Sequence, residues 1–233
     1  MLRLYVIVLI FSLLLSFHSA DALPEEVNIK KGYSTDGITF PSLTSVVTDS
    51  DGKISVQDEG KINVLFVSEE VIGVTRNGGI GTALTSLAFS LVKQGHAVTI
   101  LFTKGTIAGY HDVYEQWVQY YKNQGIELIG LFQRWDTHFP TAIVESFEVT
   151  YFLKKRHFDI VHCHDYKGVC YFSMLNKHQG EQHLEKTSFI LGLHGPTMWA
   201  KKTGNQEKIK DVGDLEVDFM EKKCLELADY VVR

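Results

Sequence analysis

The chain has 233 residues, of which 45% are hydrophobic and 22% are charged, a composition typical of a globular protein and not of a disordered or fibrous one. Its net charge of −5 gives it no electrostatic reason to bind nucleic acid or anionic lipid. Three cysteines without a CxxC pair exclude a disulfide-stapled mini-protein and a cysteine-based zinc module.

Residues 1–22 have the pattern of a secretory signal peptide. Arg3 gives a short positive start, an apolar run extends from Leu4 to Phe17, and the small residues Ala20 and Ala22 form a cleavage motif. An uncleaved membrane anchor is the alternative, but this run spans only about 21 Å as a helix, against the roughly 30 Å of a hydrocarbon core. We therefore predict cleavage after Ala22, passage through the secretory pathway or secretion, and no stable membrane insertion afterwards. Targeting to an internal organelle stays open.

Residues 23–60 show only a weak secondary-structure pattern. Glycines and prolines interrupt short β-branched stretches such as Thr44–Thr48. Such punctuation is typical of a loose leader or an edge hairpin. We therefore predict that the main folded domain comprises residues 61–233.

From residue 61 onward, apolar strands alternate with helical stripes. The predicted strands are Ile62–Val67, Ala97–Phe102, Ile126–Phe132, Asp159–Cys163, Ser188–Leu193 and Asp229–Val232. Helical spacing predicts intervening helices over Ile80–Leu91, Tyr110–Tyr121, Ala142–Arg156, a stretch ending at Lys177, and Val217–Leu227. Because continuously apolar strands are buried on both faces, the alternation predicts an α/β fold with a doubly wound, Rossmann-like parallel sheet covered by helices.

A glycine-rich loop follows the first of these strands. Gly78, Gly79 and Gly81 open the first helix. Glycines allow close backbone approach, and the free N–H groups of a helix start favour an anion such as a diphosphate. The alternative is a glycine-rich turn that only lets the helix pack. A nicotinamide loop is disfavoured, because the third glycine of GxGxxG would fall at Leu84, and no carboxylate for a ribose follows the second strand at Thr103.

Polar residues follow two later strands. His162, His164 and Asp165 end the fourth predicted strand, and His194 and Gly195 follow the fifth. Alternate histidines on a strand share a face, which makes a metal site conceivable. No third ligand lies nearby, so a polar ligand role for His164 or Asp165 is favoured and no metal is predicted. Because ligands of such sheets bind beyond the carboxyl ends of the strands, the position of His194 favours a site over the core.

Five motifs in chain order carry a resemblance to a known family. They are Gly78–Gly81, Gln94–Thr99, Asp159–Asp165, His194–Gly195 and Glu226–Val232. Together they resemble the N-terminal domain of retaining GT-B glycosyltransferases, in the group that includes glycogen and starch synthases and the family-4 glycosyltransferases. The resemblance covers about Lys61 to Arg233.

The resemblance implies a donor site at the glycine loop. In that family the loop approaches the diphosphate of the donor, so the implied phosphate-binding residues are Arg76, Gly78, Gly79 and Gly81. The glycogen synthase loop has lysine at the position of Arg76 and aspartate at the position of Thr82. Both departures favour family 4 over a true starch synthase.

The resemblance also implies a sugar site after the fifth strand. A histidine at the position of His194 contacts the transferred sugar in that family, which makes His194 the expected catalytic residue. We expect His164, Asp165 and Gly195, which lie beside it, to contact the sugar or the acceptor.

The resemblance finally implies a reaction and a missing partner domain. The implied function is transfer, with retention, from a nucleotide-sugar donor to a glycan or small-molecule acceptor, without a cofactor or a metal. Such enzymes hold most of the nucleotide in a second Rossmann-like domain, which this chain lacks, so the chain alone is expected to be inactive. The alternatives are a non-catalytic half-domain that binds a carbohydrate or a partner, and a nucleotide-sugar epimerase on the same scaffold.

Overall fold

The structure is a computed structural model that describes residues 47–48, 54–55, 60–75, 78–105, 111–131, 140–209 and 211–232. The chain divides into two compact units, Met1–Lys61 and Ile62–Arg233. Residues 1–22, the predicted signal peptide, lie outside the described residues, so the cleavage site stays a prediction.

The described part of the first unit is a pair of short strands. Strand β1 (Val47–Thr48) pairs antiparallel with β2 (Ile54–Ser55). Val47 lies opposite Ser55, and Thr48 lies opposite Ile54. This pair falls within residues 23–60, the predicted leader.

The second unit alternates strands and helices. Its described strands are β3 (Asn63–Ser68), β4 (Ala97–Phe102), β5 (Ile126–Gly130), β6 (Ile160–His164), β7 (Ser188–Gly192) and β8 (Tyr230–Val232). Its longer described helices are α1 (Gly79–Lys93), α2 (His111–Asn123), α3 (Thr141–Leu153), α4 (Tyr171–His178) and α5 (Val212–Leu227). Short helical turns occupy Tyr166–Gly168, Gln182–Leu184, Thr197–Trp199 and Ala200–Gly204. None of the helices in the described ranges is long and apolar enough to cross a bilayer.

The six strands β3 to β8 form one parallel sheet in the order β5-β4-β3-β6-β7-β8. Val64 of the central strand β3 pairs with Val98 on one side and with Ile160 on the other. The predicted α/β fold with a Rossmann-like parallel sheet is therefore confirmed. The predicted strand ends agree with the observed ones to within two residues, the largest difference being the earlier end of β5.

The sheet is buried because its central strands are apolar on both faces. All residues of β6 and β7, and five of the six in β3, are buried. Leu65, Phe158 and Phe189 are among the largest fully buried side chains. Each such side chain contributes about 1.5–3 kcal/mol by leaving water, so this layer supplies much of the driving force for folding.

The three cysteines of the chain lie in this core as free thiols. Cys163, Cys170 and Cys224 are all fully buried. Burial, together with the neighbouring Cys170, raises the pKa of the Cys163 thiol well above its ordinary value, and burial also raises the pKa of Cys224. Cys163 and Cys224 therefore stay protonated, and all three buried cysteines act as small apolar side chains.

Candidate functional site at the carboxyl edge of the sheet

The strand order places the loops after β3 and β6 next to each other at the centre of the sheet. The chain runs outward from β3 to β5 on one side and from β6 to β8 on the other. In such sheets, ligands bind in the crevice that opens where the strand order reverses, beyond the carboxyl ends of the strands. The residues predicted from the sequence follow β3, β6 and β7, so they lie along this edge.

The glycine loop forms the start of α1. Gly78 is extended and caps the helix, and Gly79 is its first residue. Oε2 of Glu70 accepts hydrogen bonds from the backbone N–H of Gly78, at 2.9 Å, and from that of Gly81, at 3.2 Å. The first amides of a helix have no partner within it and favour negative charge. The loop thus binds an anion supplied by the chain itself.

Gly79 leaves the backbone of this loop open. It is exposed, and a Cβ added there would meet nothing within 4 Å outside its own helix turn. A Cβ added at Gly78 would instead lie 3.1 Å from Oε2 of Glu70. Gly79 is therefore the position in the described loop where an external group can approach the main chain. Arg76, predicted to act with these glycines, lies outside the described residues.

The rings of His162, His164 and His194 lie close together beside Gly192, where β6 and β7 end. The ring of His164 lies edge-on to that of His194, with 4.6 Å between centroids, and 5.5 Å from that of His162. A Cβ at Gly192 would approach His162 Nε2 to 3.0 Å and His164 Nδ1 to 3.2 Å. A side chain at position 192 would therefore have to displace these rings by a few tenths of an ångström. Among the described residues, no cluster of three or more His, Cys, Asp or Glu side chains is arranged to hold a metal ion.

These imidazoles are held in their neutral form. Burial, reinforced by the nearby His194, lowers the pKa of His162 to about 3. Burial and the two other histidines lower the pKa of His164 well below its ordinary value. His194 is exposed, but the neighbours that surround part of its ring still lower its pKa by desolvation. The carboxylates of Asp165 and Glu70 oppose this change. A neutral imidazole can both donate and accept a hydrogen bond, as contact with a sugar hydroxyl requires.

Asp165 holds the loop that carries His194. Its side chain is 2% exposed, and its two carboxylate oxygens accept hydrogen bonds from the backbone N–H of His194, at 3.0 Å, and of Gly195, at 3.2 Å. Gly195 has φ +122°, a conformation that favours glycine. The structure thus gives Asp165 a positioning role, while its predicted contact with the sugar or acceptor stays a prediction.

A second buried carboxylate, Glu221 of α5, joins two loops of the site. It accepts hydrogen bonds from the backbone N–H of Lys167, at 2.7 Å, and from the N–H and hydroxyl of Thr197, at 2.9 Å and 2.5 Å. Lys167 has φ +62°, an uncommon conformation for a residue other than glycine. Burial raises the pKa of the Glu221 carboxyl, and these donors oppose that shift. The loops after β6 and β7 are therefore anchored to one side chain.

Comparison of the sequence with protein families identifies the family of the chain. The sequence profile of Glycosyltransferase Family 4 matches residues 77–232, which include the glycine loop, β6, the His194 loop and β8. The chain belongs to glycosyltransferase family 4. No curated protein matches it.

One solved structure is similar to this family-4 chain. It is the catalytic domain of starch synthase IV from Arabidopsis thaliana bound to ADP and acarbose, at 15% sequence identity and a TM-score of 0.41. The match covers 58% of this chain and 34% of the starch synthase chain. The present chain therefore matches about a third of the length of that solved chain.

The candidate site brings together several of the residues predicted from the sequence. The ring of His164 contacts that of His194, and Asp165 accepts hydrogen bonds from the backbone N–H of His194 and of Gly195. The charge of Glu70, which holds the glycine loop, acts on His194. The sequence prediction missed Glu70, Glu221 and Gly192. A signal for Glu221 existed, because it lies four residues after Val217 and three before Cys224, within the apolar stripe of its helix. A charge in such a stripe indicates a buried, partnered carboxylate.

Proposed function

We propose that this family-4 chain acts in the transfer of a sugar from a nucleotide-sugar donor to a glycan or small-molecule acceptor, with retention of configuration. In this proposal the glycine loop faces the diphosphate of the donor. His194 contacts the transferred sugar as the catalytic residue, and His164, Asp165 and Gly195 line the sugar and acceptor side.

The observation that carries this proposal is the convergence of two amides of the glycine loop on one carboxylate oxygen. A turn that accommodates an oxygen of Glu70 has the geometry and charge preference to accept an oxygen of a phosphate. Gly79 adds an open stretch of backbone beside it. The positive end of α1 would then stabilise the departing diphosphate without a metal ion.

The position of His194 supports the sugar side of the proposal. Its side chain is exposed, while its backbone is fixed by Asp165. A group that is held firmly and still faces the crevice is pre-organised for contact with a reacting sugar. The charge of Glu70, which holds the glycine loop, acts on His194, and this nearness is compatible with one bound molecule contacting both.

A titration of the isotope-labelled full chain tests the proposal. UDP-glucose, ADP-glucose and GDP-mannose serve as probes, and uridine and adenosine serve as controls that lack phosphate. At least one nucleotide sugar is expected to shift the amide signals of Gly78, Gly79 and Gly81 and the ring signals of His194. The expected dissociation constant is on the order of millimolar, because a few backbone amides at an exposed surface desolvate a ligand poorly. Shifts that are absent at about 10 mM, or equal shifts with the nucleosides, would contradict the proposal.

A further inference from the structure

A groove of about 400 Å³ lies between the helices α3, α4 and α5. Apart from Glu216, its lining is hydrophobic or aromatic and consists of Ile143, Tyr171, Phe172, Leu215, Phe219 and Met220. Sites for small molecules have volumes of about 300–1,000 Å³ and are lined mainly by hydrophobic and aromatic side chains. The groove therefore has the size and the lining of a small-molecule site.

Large apolar side chains of this groove are exposed to water. Leu215 and Phe219, which lie one turn apart on α5, are each 51% exposed. Phe147, whose ring stacks on that of Phe172 with 3.8 Å between centroids, is 49% exposed. A phenylalanine side chain can bury about 150–250 Å², so each half-exposed ring leaves roughly 100 Å² in water. A ligand that covers these side chains therefore gains affinity from the hydrophobic effect.

Aromatic contacts hold the walls of the groove together. The rings of Phe147 on α3 and Phe172 on α4 are stacked, with 15° between their planes. The rings of Tyr171 on α4 and Phe219 on α5 meet edge to face, with 5.8 Å between centroids. Edge-to-face pairs at this distance are a favoured aromatic geometry. Because these contacts join all three helices, the groove is preformed, and little ordering of its side chains opposes binding.

The groove borders the edge of the sheet that carries the candidate site. A helix that follows a parallel strand begins at the carboxyl end of that strand, and Ile143 and Tyr171 lie in the first turns of α3 and α4. Met220 packs against Gly168 in the loop after β6, where an added Cβ would lie 2.6 Å from the Cβ of Met220. The next residue, Glu221, anchors the loops after β6 and β7. A molecule bound at this edge can therefore extend into the groove.

The size and the charge of the groove favour a small neutral ligand. Phe147, Leu215 and Phe219 together expose about 300 Å² of side chain, whereas a stable protein interface buries about 800 Å² on each partner. Within the lining that the structure describes, no cation is present to pair with an acid, and the carboxylate of Glu216 would repel one. A fatty acid is therefore disfavoured, and a neutral apolar group is favoured.

We propose that this groove binds the apolar group of a neutral glycoside acceptor, an aryl group or an alkyl chain, while the sugar of that acceptor lies at the adjoining carboxyl edge. The apolar group covers Leu215 and Phe219 and gives the acceptor side of the site its selectivity. This inference rests on the proposed function. It narrows the acceptor from any glycan or small molecule to a glycoside with an apolar aglycone.

Glucosides that share one sugar and differ in the aglycone test the groove on the isotope-labelled full chain. The probes are methyl, phenyl and octyl β-glucoside, the last kept below the concentration at which it forms micelles. The phenyl or the octyl glucoside is expected to shift the methyl signals of Leu215 and Met220 and the ring signals of Phe219. It should bind at least tenfold more tightly than methyl glucoside, a difference for which about two buried methylene groups suffice.

Two leucines of α5 provide a matched pair of substitutions. Leu215→Gln places a polar amide in the groove and should weaken the phenyl or octyl glucoside about three- to tenfold. Leu225→Gln makes the same change on the same helix, at a residue that is 42% exposed and does not line the groove. This control is expected to leave the affinity unchanged. Both side chains are about half exposed, so both variants should keep the fold and the melting temperature.

Three results would overturn this assignment of the groove. The first is equal binding of methyl glucoside and the two apolar glucosides, and the second is an equal loss of affinity in the two variants. The third is a shift of the Leu215 and Phe219 signals with protein concentration alone, together with a dimer in sedimentation, which would assign the groove to a second copy of the chain.

The glycine loop reports separately on the proposed function. Apolar glucosides acting at Leu215 without nucleotide sugars acting at Gly79 would sustain the groove as a site for apolar glycosides and contradict the transferase proposal. The opposite pattern would contradict the groove alone.

Discussion

Oδ1 of Asp165 accepts a hydrogen bond of 3.0 Å from the backbone N–H of His194, 29 residues further along the chain. This contact joins the loop after β6 to the loop after β7. It acts on the main chain of His194 and leaves the imidazole free to face the crevice. The buried carboxylate of Asp165 thus fixes the position of the main chain that carries the exposed ring of His194.

Asp165→Asn should release this loop. The amide side chain offers one acceptor oxygen where the carboxylate offers two, so a backbone N–H of His194 or Gly195 loses its partner. We expect the free energy of unfolding, measured by urea denaturation, to fall by about 1–3 kcal/mol. Amide exchange of both residues should become faster. Asp218→Asn, which breaks an i,i+4 pair with Lys222, should cost less than about 0.5 kcal/mol. Equal losses in the two variants would contradict the positioning role.

Glu221→Leu should uncouple the two loops that this carboxylate anchors. The buried N–H groups of Lys167 and Thr197 lose their acceptor, so we expect a loss of about 2–4 kcal/mol in unfolding free energy. Hydrogen exchange should rise at Thr197 in particular. Glu226→Gln is the control on the same helix, since Glu226 is exposed and forms a surface ion pair with Lys223. Unchanged exchange at Thr197 would show that the loop is held by other contacts.

Glu70→Gln tests competition between the chain's own anion and an external one. The substitution removes a negative charge from the glycine loop but keeps an oxygen that can accept from Gly78. We therefore expect UDP to bind several-fold more tightly, as measured by calorimetry. Glu185→Gln removes the same charge from an exposed position away from the loop and should leave the affinity unchanged. Weaker UDP binding in Glu70→Gln would mean that the carboxylate shapes the loop for its ligand and does not compete with it.

Gly79→Val tests close approach to the backbone. A Cβ at this position meets no neighbouring protein atom, so the fold and the melting temperature should be preserved. The added side chain would stand where a diphosphate approaches, and nucleotide-sugar binding should fall at least tenfold. Gly204→Val is the matched control, because a Cβ there also meets open space. Retained binding in a folded Gly79→Val variant would exclude the phosphate role of the loop.

The buried His162 predicts a loss of stability in acid. Its pKa is about 3 in the folded protein and 6.5 ordinarily. As the pH falls from 6.5 to about 3, the unfolded chain binds this proton first, so unfolding free energy decreases by up to about 1.4 kcal/mol per pH unit. His164 acts in the same direction. Urea denaturation from pH 7.5 to 4 should show this slope, and His162→Leu should reduce it by about one proton. An unchanged slope would contradict the burial argument.

The fold could be predicted because its determinants are local. The strand β4 and its neighbours are continuous apolar runs, and the ends of helices are marked by residues such as Gly95. Spacing and burial preference act within ten or so residues, so the sequence pattern reports them directly. The predicted parallel sheet followed from these patterns alone.

The residues that position the loops of the candidate site could be predicted only in part. Glu70 reaches Gly81 across 11 residues, and Glu221 reaches Lys167 across 54. Such pairs depend on how loops meet after folding, which no local spacing encodes. His164 and His194 were visible because they follow strands whose carboxyl ends share one edge. Gly192 was missed because the rings that crowd it belong to another strand.

The three free thiols make the native chain its own reporter of conformational opening. Each cysteine is buried in the core, where an alkylating reagent cannot reach its thiol. Modification therefore has to wait for a fluctuation that uncovers the side chain. Cys163 belongs to the central strand β6, while Cys224 belongs to α5, at the layer boundary. The order in which a mass spectrometer finds them labelled gives the order in which the helix layer and the sheet come apart, without any introduced probe.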